Sequence, residues 1–527
     1  MVKSSQAKSH KKPSLFAWLR PSKKQEEMPR LAQPYRVQQV QYVGQVSSQG
    51  RYFEQIDHQE HLILCREAYF QNNHARIYIN RQVSMIVNDG LTLQFNPLWS
   101  HINVNLDFKA QQAKQIEVQE RWYLWASSLA CMLKGDMNFH VAQHELYKML
   151  LRDGEFFVLL HRQFDDNLVN PLRIQIVATD ALPYDLAGDF VADATARGNY
   201  IDHGIEFNLH GQPVAYYFMQ QDRSIKRIPA YAPDGRRWVI HVKRGDYLNS
   251  SRGVSDLVNH LPTLAKIRDF EQNELTASKL NAQIAAYVRP SQDRVTQTDI
   301  MFGIDEDEDD TRQKDSHVIP NIPGMVVQQM AAGEDLLPFG ANSIRPSSNV
   351  VDFVNSQSEA MMVSAGMPMS VARLHMNKSY SASRAELALF ETFRKHRIEE
   401  FASKFLNVIF EQWLHEEVIY NDLLLVGYSN PKKRKYFMNL TWHPDPIPNL
   451  DPLKSAKAME ILIANGITTH EKATRDHNDG NWDDNIEHLA RELEKMRELG
   501  ILAKSAPKAE AEEKEKEKDA EEEENDE

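Results

Sequence analysis

The segment SAGMPMSVARLHMNKSYSASRAELALFETFRKHRIEEFASKFLNVIFEQW, residues 364–413, carries the clearest local signals in this chain of 527 residues. Gly366 and Pro368 predict the end of a preceding helix, because proline lacks a backbone donor and glycine loses the most conformational freedom in a helix. Ser383 and Glu386 have the S-x-x-E spacing of a capping box, in which the two side chains bind free amides at a helix start. The sequence therefore predicts a helix that begins at Ser383.

The residues between these signals, Met367 to Ala382, are predicted to form a loop of unusual composition. Three methionines are mixed there with polar and cationic residues, and such a loop calls for an explanation. The helix that follows places phenylalanine at helical spacing along one face, with charged residues elsewhere. We therefore expect this helix to pack against a large apolar surface.

Length and composition bound the class of protein. A chain of 527 residues is expected to form about three domains. Hydrophobic residues make up 42% and charged residues 26%, and no apolar run reaches the length of about 18 residues that a membrane helix needs. The apolar stretch 15–19 is too short for a secretion signal. Cys65 and Cys131 provide no disulfide framework and are predicted to be buried. We expect a soluble protein without a membrane partner.

Charge is distributed unevenly along the chain, whose net charge is −13. Residues 1–30 contain eight basic and two acidic residues, whereas residues 504–527 contain five lysines and twelve acidic residues. Both ends lack periodicity and are predicted to be disordered, over 1–35 and 504–527. A contact of the basic arm with a partner or nucleic acid stays open. The acidic remainder excludes binding of nucleic acid through a broad basic surface.

Short helical and strand patterns alternate from Leu62 to Tyr247 and predict an α+β region. The predicted helices are Tyr69–Val87, Val118–Leu133 and His140–Leu151. The predicted strands are Phe156–Leu160, Leu172–Val177, Pro213–Phe218 and Trp238–Val242. The aromatic cluster Trp122, Tyr123 and Trp125 is interpreted as core, with a base-stacking platform as the alternative.

Two amphipathic helices, Ser255–Tyr287 and 349–365, are predicted on either side of a non-periodic segment. Pro262 is expected to kink the first helix. The segment between them has short predicted strands at 318–320 and 324–327, and an acidic run at 305–310. That run lacks the ligand spacing of a calcium loop and is interpreted as a solvated loop.

Beyond Trp413, the pattern predicts two strands and then three helices. The strands, Leu423–Val426 and Tyr436–Trp442, bracket a basic turn at 431–435, for which both a solvated turn and a phosphate contact stay open. The predicted helices are Pro452–Ala464, Thr469–Asp476 and Asp483–Leu499.

None of the spacings that common catalytic sites require occurs in the chain. There is no phosphate-binding G-x-x-x-x-G-K-[ST] motif and no G-x-S-x-G elbow. His470-Glu471 begins like a zinc-protease helix, but Thr474 stands where the second histidine is needed. We predict no catalytic residues, no metal and no cofactor. A site assembled from residues far apart in the sequence stays open as an alternative.

Several short motifs, in this order and spacing, resemble the lambda-type portal protein family of tailed bacteriophages. The resemblance covers roughly Asn72 to Leu502. The motifs are RQVSMIVNDGLTLQ at 81–94, residues 122–139, RDGE at 152–155, HGIE at 203–206, GQPVAY at 211–216, RIPA at 227–230, IH at 240–241, SRGVS at 251–255, YSASRA at 380–385 and DPLKSAK at 451–457. The family usually has a glutamine before the Arg-Gly pair and a proline after the following valine. Residues 247–251 and Ser255 depart from that pattern.

The resemblance implies a ring, usually of twelve subunits, around a central channel. It assigns an α+β wing to 36–253, stem helices to 254–287 and 347–365, a small β-containing clip to 288–346 and a tunnel loop to 366–382. The long helix and strands at 383–443 belong to the wing, and 444–503 forms a helical crown.

The resemblance also implies a function and partners. The protein would sit at one capsid vertex of the virion after assembly in the host cytoplasm, dock the large terminase subunit, conduct and retain double-stranded DNA, and pass it out at ejection. Further partners would be the major capsid and scaffold proteins and the head–tail connectors. An oligomeric protein-binding scaffold or adaptor without a DNA channel, and a metal-dependent nuclease or an ATPase, are the alternatives.

The resemblance places candidate site residues in three groups. The tunnel loop contributes the DNA-facing residues Arg373, His375, Asn377 and Lys378. The clip contributes the terminase-facing residues Asp305, Glu306, Asp307, Glu308, Arg312 and Lys314. The predicted cap at Ser383 and Glu386 would support the loop.

Overall fold

The computed structural model describes residues 58–102, 106–244, 250–283, 286–290, 334–338, 347–373, 380–445, 452–478 and 482–500. The helices are α1 His58–Gln71, α2 Asn73–Ile86, α3 Trp99–Ile102, α4 Phe108–Ser127, α5 Phe139–Arg152, α6 Asp189–Ala196, α7 Leu261–Gln283, α8 Ser347–Ser364, α9 Met369–Arg373, α10 Tyr380–Phe401, α11 Asn407–Tyr420, α12 Pro431–Arg434, α13 Pro452–Ala464, α14 His470–Asn478 and α15 Trp482–Glu498. The strands are β1 Thr92–Phe95, β2 Glu155–Arg162, β3 Leu172–Val177, β4 Tyr200–Asp202, β5 Ile205–Phe207, β6 Pro213–Met219, β7 Ile225–Pro229, β8 Val239–Lys243, β9 Ala286–Pro290, β10 Glu334–Pro338 and β11 Leu440–His443.

Two antiparallel sheets and a layer of helices form the α+β region, which confirms the predicted fold class. One sheet has the order β3-β2-β8 and the other β4-β5-β6-β7, and β1 pairs separately with β11. Strand β2 is buried on both faces. Phe156 and Val158 point into the main helical core, whereas Phe157 and Leu159 contact the second sheet. Because both faces are covered, the strand reads as an unbroken apolar run.

The aromatic cluster lies in the main core, as predicted for its tryptophans. The ring of Trp122 lies 5.0 to 5.8 Å from five other aromatic rings, those of Trp125, Phe139, Phe410, Trp413 and Trp442. Tyr123 is exposed. Cys65 and Cys131 are buried free thiols, which confirms that prediction. Within the described ranges, no helix is both long and apolar enough to cross a bilayer.

Helices α7 and α8 form an antiparallel pair that leaves the core and returns to it. At its base, Ser364 Oγ lies 2.9 Å from His260 Nε2, and further out the rings of Phe270 and Phe353 lie 4.5 Å apart. Strand β9 follows α7 and strand β10 precedes α8 in the chain, and the two strands pair in antiparallel orientation. We call α7, β9, β10 and α8 the stalk.

Several predicted boundaries in the first half of the chain are wrong. The predicted helix Tyr69–Val87 is split into α1 and α2, because the Asn72 side chain accepts the amide of His74 and starts a new helix. The predicted helix Ser255–Tyr287 begins later and ends earlier, and strand β9 occupies its last predicted residues. Pro262 lies in the first turn of α7, where a missing amide costs nothing, so it does not interrupt the helix.

Predictions near the C-terminal end succeed better for helices than for strands. Leu423–Val426 is not a strand, because Leu423 and Leu425 are buried within a turn. The predicted strand 436–442 is a 3₁₀ turn followed by β11, and the predicted basic turn is the short helix α12. The three predicted terminal helices are confirmed within a few residues by α13, α14 and α15. The strands expected at 318–320 and 324–327, and both predicted disordered ends, lie outside the described residues.

Candidate functional site

The candidate site is the segment that leads from α8 to α10, where the tunnel loop was predicted. Helix α8 ends in a Schellman arrangement, in which the amide of Gly366 donates to Val363 O over 2.8 Å and that of Met367 to Met362 O over 2.9 Å. Gly366 has a φ of +71°, and a Cβ at this position would lie 2.4 Å from the Phe393 ring. The predicted end of the helix at Gly366 is confirmed. Only glycine allows the chain to turn this close to α10.

The first half of the predicted loop is the short helix α9, which packs onto the core. Met367 and Val371 are buried, and Met369 packs against the same core. These two methionines are therefore explained by burial rather than by a role in an exposed loop. The Arg81 side chain donates to Ala372 O over 3.1 Å and so binds the end of α9 to helix α2.

The second half of the loop returns to α10, and one hydrogen bond ties the two sides together. Ser370 Oγ on α9 donates to Glu386 Oε2 on α10 over 2.7 Å. The residues 374–379 between α9 and α10 therefore start and finish at positions that are fixed to each other.

The predicted helix cap at Ser383 and Glu386 is wrong in position. Helix α10 begins at Tyr380, so Ser383 lies inside the helix, whereas a capping residue precedes the first helical turn. Ser383 is buried, and Glu386 binds Ser370. Glu386 therefore joins α9 to α10, and its predicted support of the loop stays a prediction.

The other predicted site residues fall at the margin of the described structure. Arg373 is the last residue of α9. His375, Asn377 and Lys378 lie outside the described residues, and so do the six clip residues Asp305, Glu306, Asp307, Glu308, Arg312 and Lys314. Their roles stay predictions.

A second cluster, which the sequence did not reveal as a site, fixes the stalk to the sheets. Arg252, just before α7, is completely buried. Its Nε donates to Glu155 Oε1 over 2.6 Å, and its other nitrogens donate to the carbonyls of Thr179 over 3.0 Å and His203 over 3.1 Å. The guanidinium carbon lies 4.3 Å from the centre of the Tyr184 ring. One side chain thus joins β2, the connections after β3 and β4, and the start of the stalk.

The carboxylate in this cluster is fully bonded. Glu155 Oε2 accepts the Gly253 amide over 2.8 Å and lies 2.9 Å from His241 Nε2. Burial alone would raise the pKa of Glu155, but the charge of Arg252 and the hydrogen bonds from His241 and Gly253 lower it to about 2. Burial lowers the pKa of His241. The ion pair therefore stays charged at neutral pH, and the motifs RDGE and SRGVS meet here.

Gly253 completes the joint because no side chain would fit there. A Cβ would lie 2.1 Å from the carbonyl oxygen of Gly154. Ser255 Oγ donates to Leu151 O over 2.8 Å, and Arg244 pairs with Asp256 over 2.6 Å. These bonds set the direction in which α7 leaves the sheet. In the sequence the joint was visible only as the two charged motifs RDGE and SRGVS. Nothing in their spacing shows that they are in contact.

The described residues offer no cluster of three or more His, Cys, Asp or Glu side chains that could hold a metal ion. The best defined features are therefore structural. They are the loop base, where Ser370 binds Glu386, and the buried joint of Arg252 and Glu155 before the stalk.

Comparisons with known proteins identify a family model and several relatives of this chain. The family model described as "Phage portal protein, lambda family" matches residues 57–397. The portal protein of Escherichia phage N15 is 21% identical over 437 residues, which cover 76% of this chain and 78% of that protein. Portal protein B of Escherichia phage lambda is 21% identical over 436 residues, which cover 76% of this chain and 77% of that protein.

Two solved structures show a weaker likeness. One is the neck of an empty gene transfer agent particle computed with C6 symmetry, with a TM-score of 0.45 and 11% identity over 78% of this chain and 91% of the other. The second is an HK97 family phage portal protein from Corynebacterium diphtheriae, with a TM-score of 0.30 and 10% identity over 68% of this chain and 91% of the other.

Proposed function

This chain belongs to the lambda family of phage portal proteins, and from that premise we propose that its subunits form a ring around a channel for double-stranded DNA. Portal proteins occupy one vertex of the capsid, dock the terminase that packages the genome, retain and later release the DNA, and join the head to the tail. We propose twelve subunits and a structural rather than catalytic role.

The stalk is the observation that carries the proposal for this chain. Two helices leave the core side by side, a β ribbon extends them, and the second helix returns to the loop base. A ring of such subunits would bring α7 and α8 together as its stem, with 288–346 as the clip that faces the terminase. Asp305, Glu306, Asp307, Glu308, Arg312 and Lys314 belong to that clip in the proposal.

The loop between α9 and α10 is the proposed contact with DNA. Its ends are fixed to one another through Ser370 and Glu386, and to α2 through Arg81. Arg373 and Lys378 supply cations in a chain whose net charge is −13. Every charge facing a channel is repeated in each subunit, so a few cations per chain suffice for contact and an acidic wall lets the duplex slide. His375 and Asn377 complete the proposed loop surface.

The remaining partners follow from the position of a portal in the particle. We propose contacts with the major capsid and scaffold proteins around the wing, with the large terminase subunit at the clip, and with head–tail connector proteins. We propose that the wing comprises 36–253 and 383–443 and the crown 444–503, as the resemblance implies.

Electron microscopy of the purified full chain tests the ring. The expected result is a closed ring whose pore admits duplex DNA. A compact oligomer without a pore would instead support a protein-binding scaffold and overturn the proposal. Incubation with magnesium and duplex DNA is the companion assay, in which the DNA is expected to stay intact. Cleavage that copurifies with the ring and responds to substitutions in this chain would contradict a purely structural role.

A further inference from the structure

A concave groove of about 380 Å³ opens between β2, β7, the segment before β8, and α11. Its lining is strongly basic, although the chain as a whole is acidic. The lining contains five cations and one carboxylate: Arg162, Lys226, Arg227, Arg236, Arg237 and Glu416. A groove of this charge is a place where an anionic ligand can bind.

Two of the five cations have no carboxylate partner within the described part of the chain. Arg162 and Arg236 both pair with Glu416, and Arg227 donates to Glu206 from the far side over 2.7 Å. Lys226 is exposed and makes no ion pair there, whereas Arg237 donates to the Tyr231 hydroxyl over 2.9 Å. Lys226 and Arg237 therefore keep their charge available to a ligand.

Strand β7 gives the groove a backbone surface as well. It is the last strand of its sheet among the described strands, and it pairs only with β6. Its consecutive residues 226–229 border the groove, whereas no β6 residue does. An unpaired strand edge is a template for an extended peptide, which gains main-chain hydrogen bonds. The shape and the charge thus both favour an extended acidic segment.

We propose that this groove binds the acidic C-terminal segment 519–527, DAEEEENDE, of the same chain or of a neighbouring copy. The segment contains seven acidic residues and no basic residue. The described structure ends at Gly500, and the 27 residues that follow span at most about 90 Å when extended.

Other anions fit the groove less well. The acidic run 305–310 carries six carboxylates, one fewer than 519–527, and the cations Arg312 and Lys314 follow it closely. Duplex DNA is a stiff rod. A concave groove of this size admits a single extended peptide strand rather than a DNA double helix.

Zero-length carbodiimide cross-linking of the full chain, followed by mass spectrometry, tests the proposal. Lys226 is the only lysine in the lining. We expect it to link to carboxylates within 519–527, and we expect the yield to fall in Arg237→Gln and at high salt. Lys432→Gln removes an exposed cation elsewhere and should leave the yield unchanged. Mixing light and heavy-isotope subunits shows whether the link joins one chain or two, and either result supports the proposal.

Binding of a labelled DAEEEENDE peptide gives an independent measurement. The receptor is the full chain with its seven acidic residues in 519–527 changed to amides. Lys226→Gln with Arg237→Gln should weaken peptide binding about two- to thirtyfold, since two ion pairs at the surface are lost. The matched pair Lys432→Gln with Lys435→Gln should change it less than about twofold.

Three results overturn the proposal. The first is that Lys226 links only to 305–310 or to no acidic segment. The second is that the groove variants bind the peptide as well as the control pair does. The third is binding of duplex DNA that depends on Lys226 and Arg237 while the peptide does not bind, which would make the groove a nucleic-acid site. Unchanged melting temperatures of the variants show that the fold is intact in each comparison.

Discussion

Substitution of Gly366 by alanine is the sharpest test of the loop base. An L-residue in the left-handed region costs about 1–2 kcal/mol. The added Cβ would also lie 2.4 Å from the Phe393 ring, so the ring or the backbone must shift. Overpacking of this kind typically costs about 1–3 kcal/mol. We therefore expect Gly366→Ala to destabilise the fold by about 2–5 kcal/mol.

Gly135 provides a matched control. It has a φ of +67°, close to the +71° of Gly366, but no atom lies within 4 Å of a Cβ built there. Gly135→Ala should show only the conformational cost, about 1–2 kcal/mol, less the gain from restricting the unfolded chain. The excess of Gly366→Ala over this control measures the contact with Phe393.

Urea denaturation followed by tryptophan fluorescence measures both variants, and a cycle with Phe393→Ala isolates the clash. If the ring causes the excess, Gly366→Ala should cost about 1–3 kcal/mol less in the Phe393→Ala background. Equal costs for Gly366→Ala and Gly135→Ala, or an unchanged cost without the ring, would refute the reasoning. In that event the turn after α8 would be free to relax, and the loop would not start from a fixed position.

Four further outcomes are expected. Arg252→Leu should cost about 3–5 kcal/mol in thermal unfolding, because it leaves a buried carboxylate unpaired, and a stable variant would contradict the proposed joint. Because the pKa of Glu155 falls from 4.5 to about 2 on folding, its ion pair stabilises the protein above pH 4.5 and is lost as the pH falls towards 2. Between these pH values the Glu155 ion pair should account for a fall of about 3 kcal/mol in the free energy of unfolding, and Glu155→Gln should lack this fall. Urea denaturation at each pH measures it, and a variant with the same pH profile as the original protein would argue against the assignment. Ser370→Ala should cost about 1 kcal/mol, and an unchanged melting temperature would show that the bond to α10 contributes nothing. Arg373→Ala with Lys378→Ala should shorten the packaged DNA or weaken its retention, whereas normal packaging and retention would rule out the proposed loop contact.

The break before the loop could be read from the sequence because it depends on backbone chemistry. Glycine tolerates a positive φ, and Gly366 does end α8. The restart of the helix could not be placed in the same way. A capping box is one of several ways to begin a helix, and α10 begins at Tyr380, three residues before the predicted cap. Ser370, which binds Glu386, carried no signal of its own.

Strands were predicted well within the two antiparallel sheets of the α+β region. β3 was predicted to the residue, whereas Leu423–Val426 was not a strand at all. Apolar residues in a short run show only that a segment is buried, and a buried turn satisfies that pattern equally well. The second helix boundary near Asn72 was missed because the apolar periodicity continues across the break while the asparagine changes the backbone direction.

The sequence by itself determined the α+β class, most helices, the glycine break at Gly366 and the portal family, since these rest on local periodicity and on motifs in order. Only the tertiary structure decided that Arg252 meets Glu155, that Ser370 meets Glu386, and that five cations share one groove in an acidic chain. Arg252 and Glu155 are 97 positions apart. Contacts of this kind depend on how sheets and helices are packed, and the energy that selects the packing is spread over the whole core rather than held in any short segment.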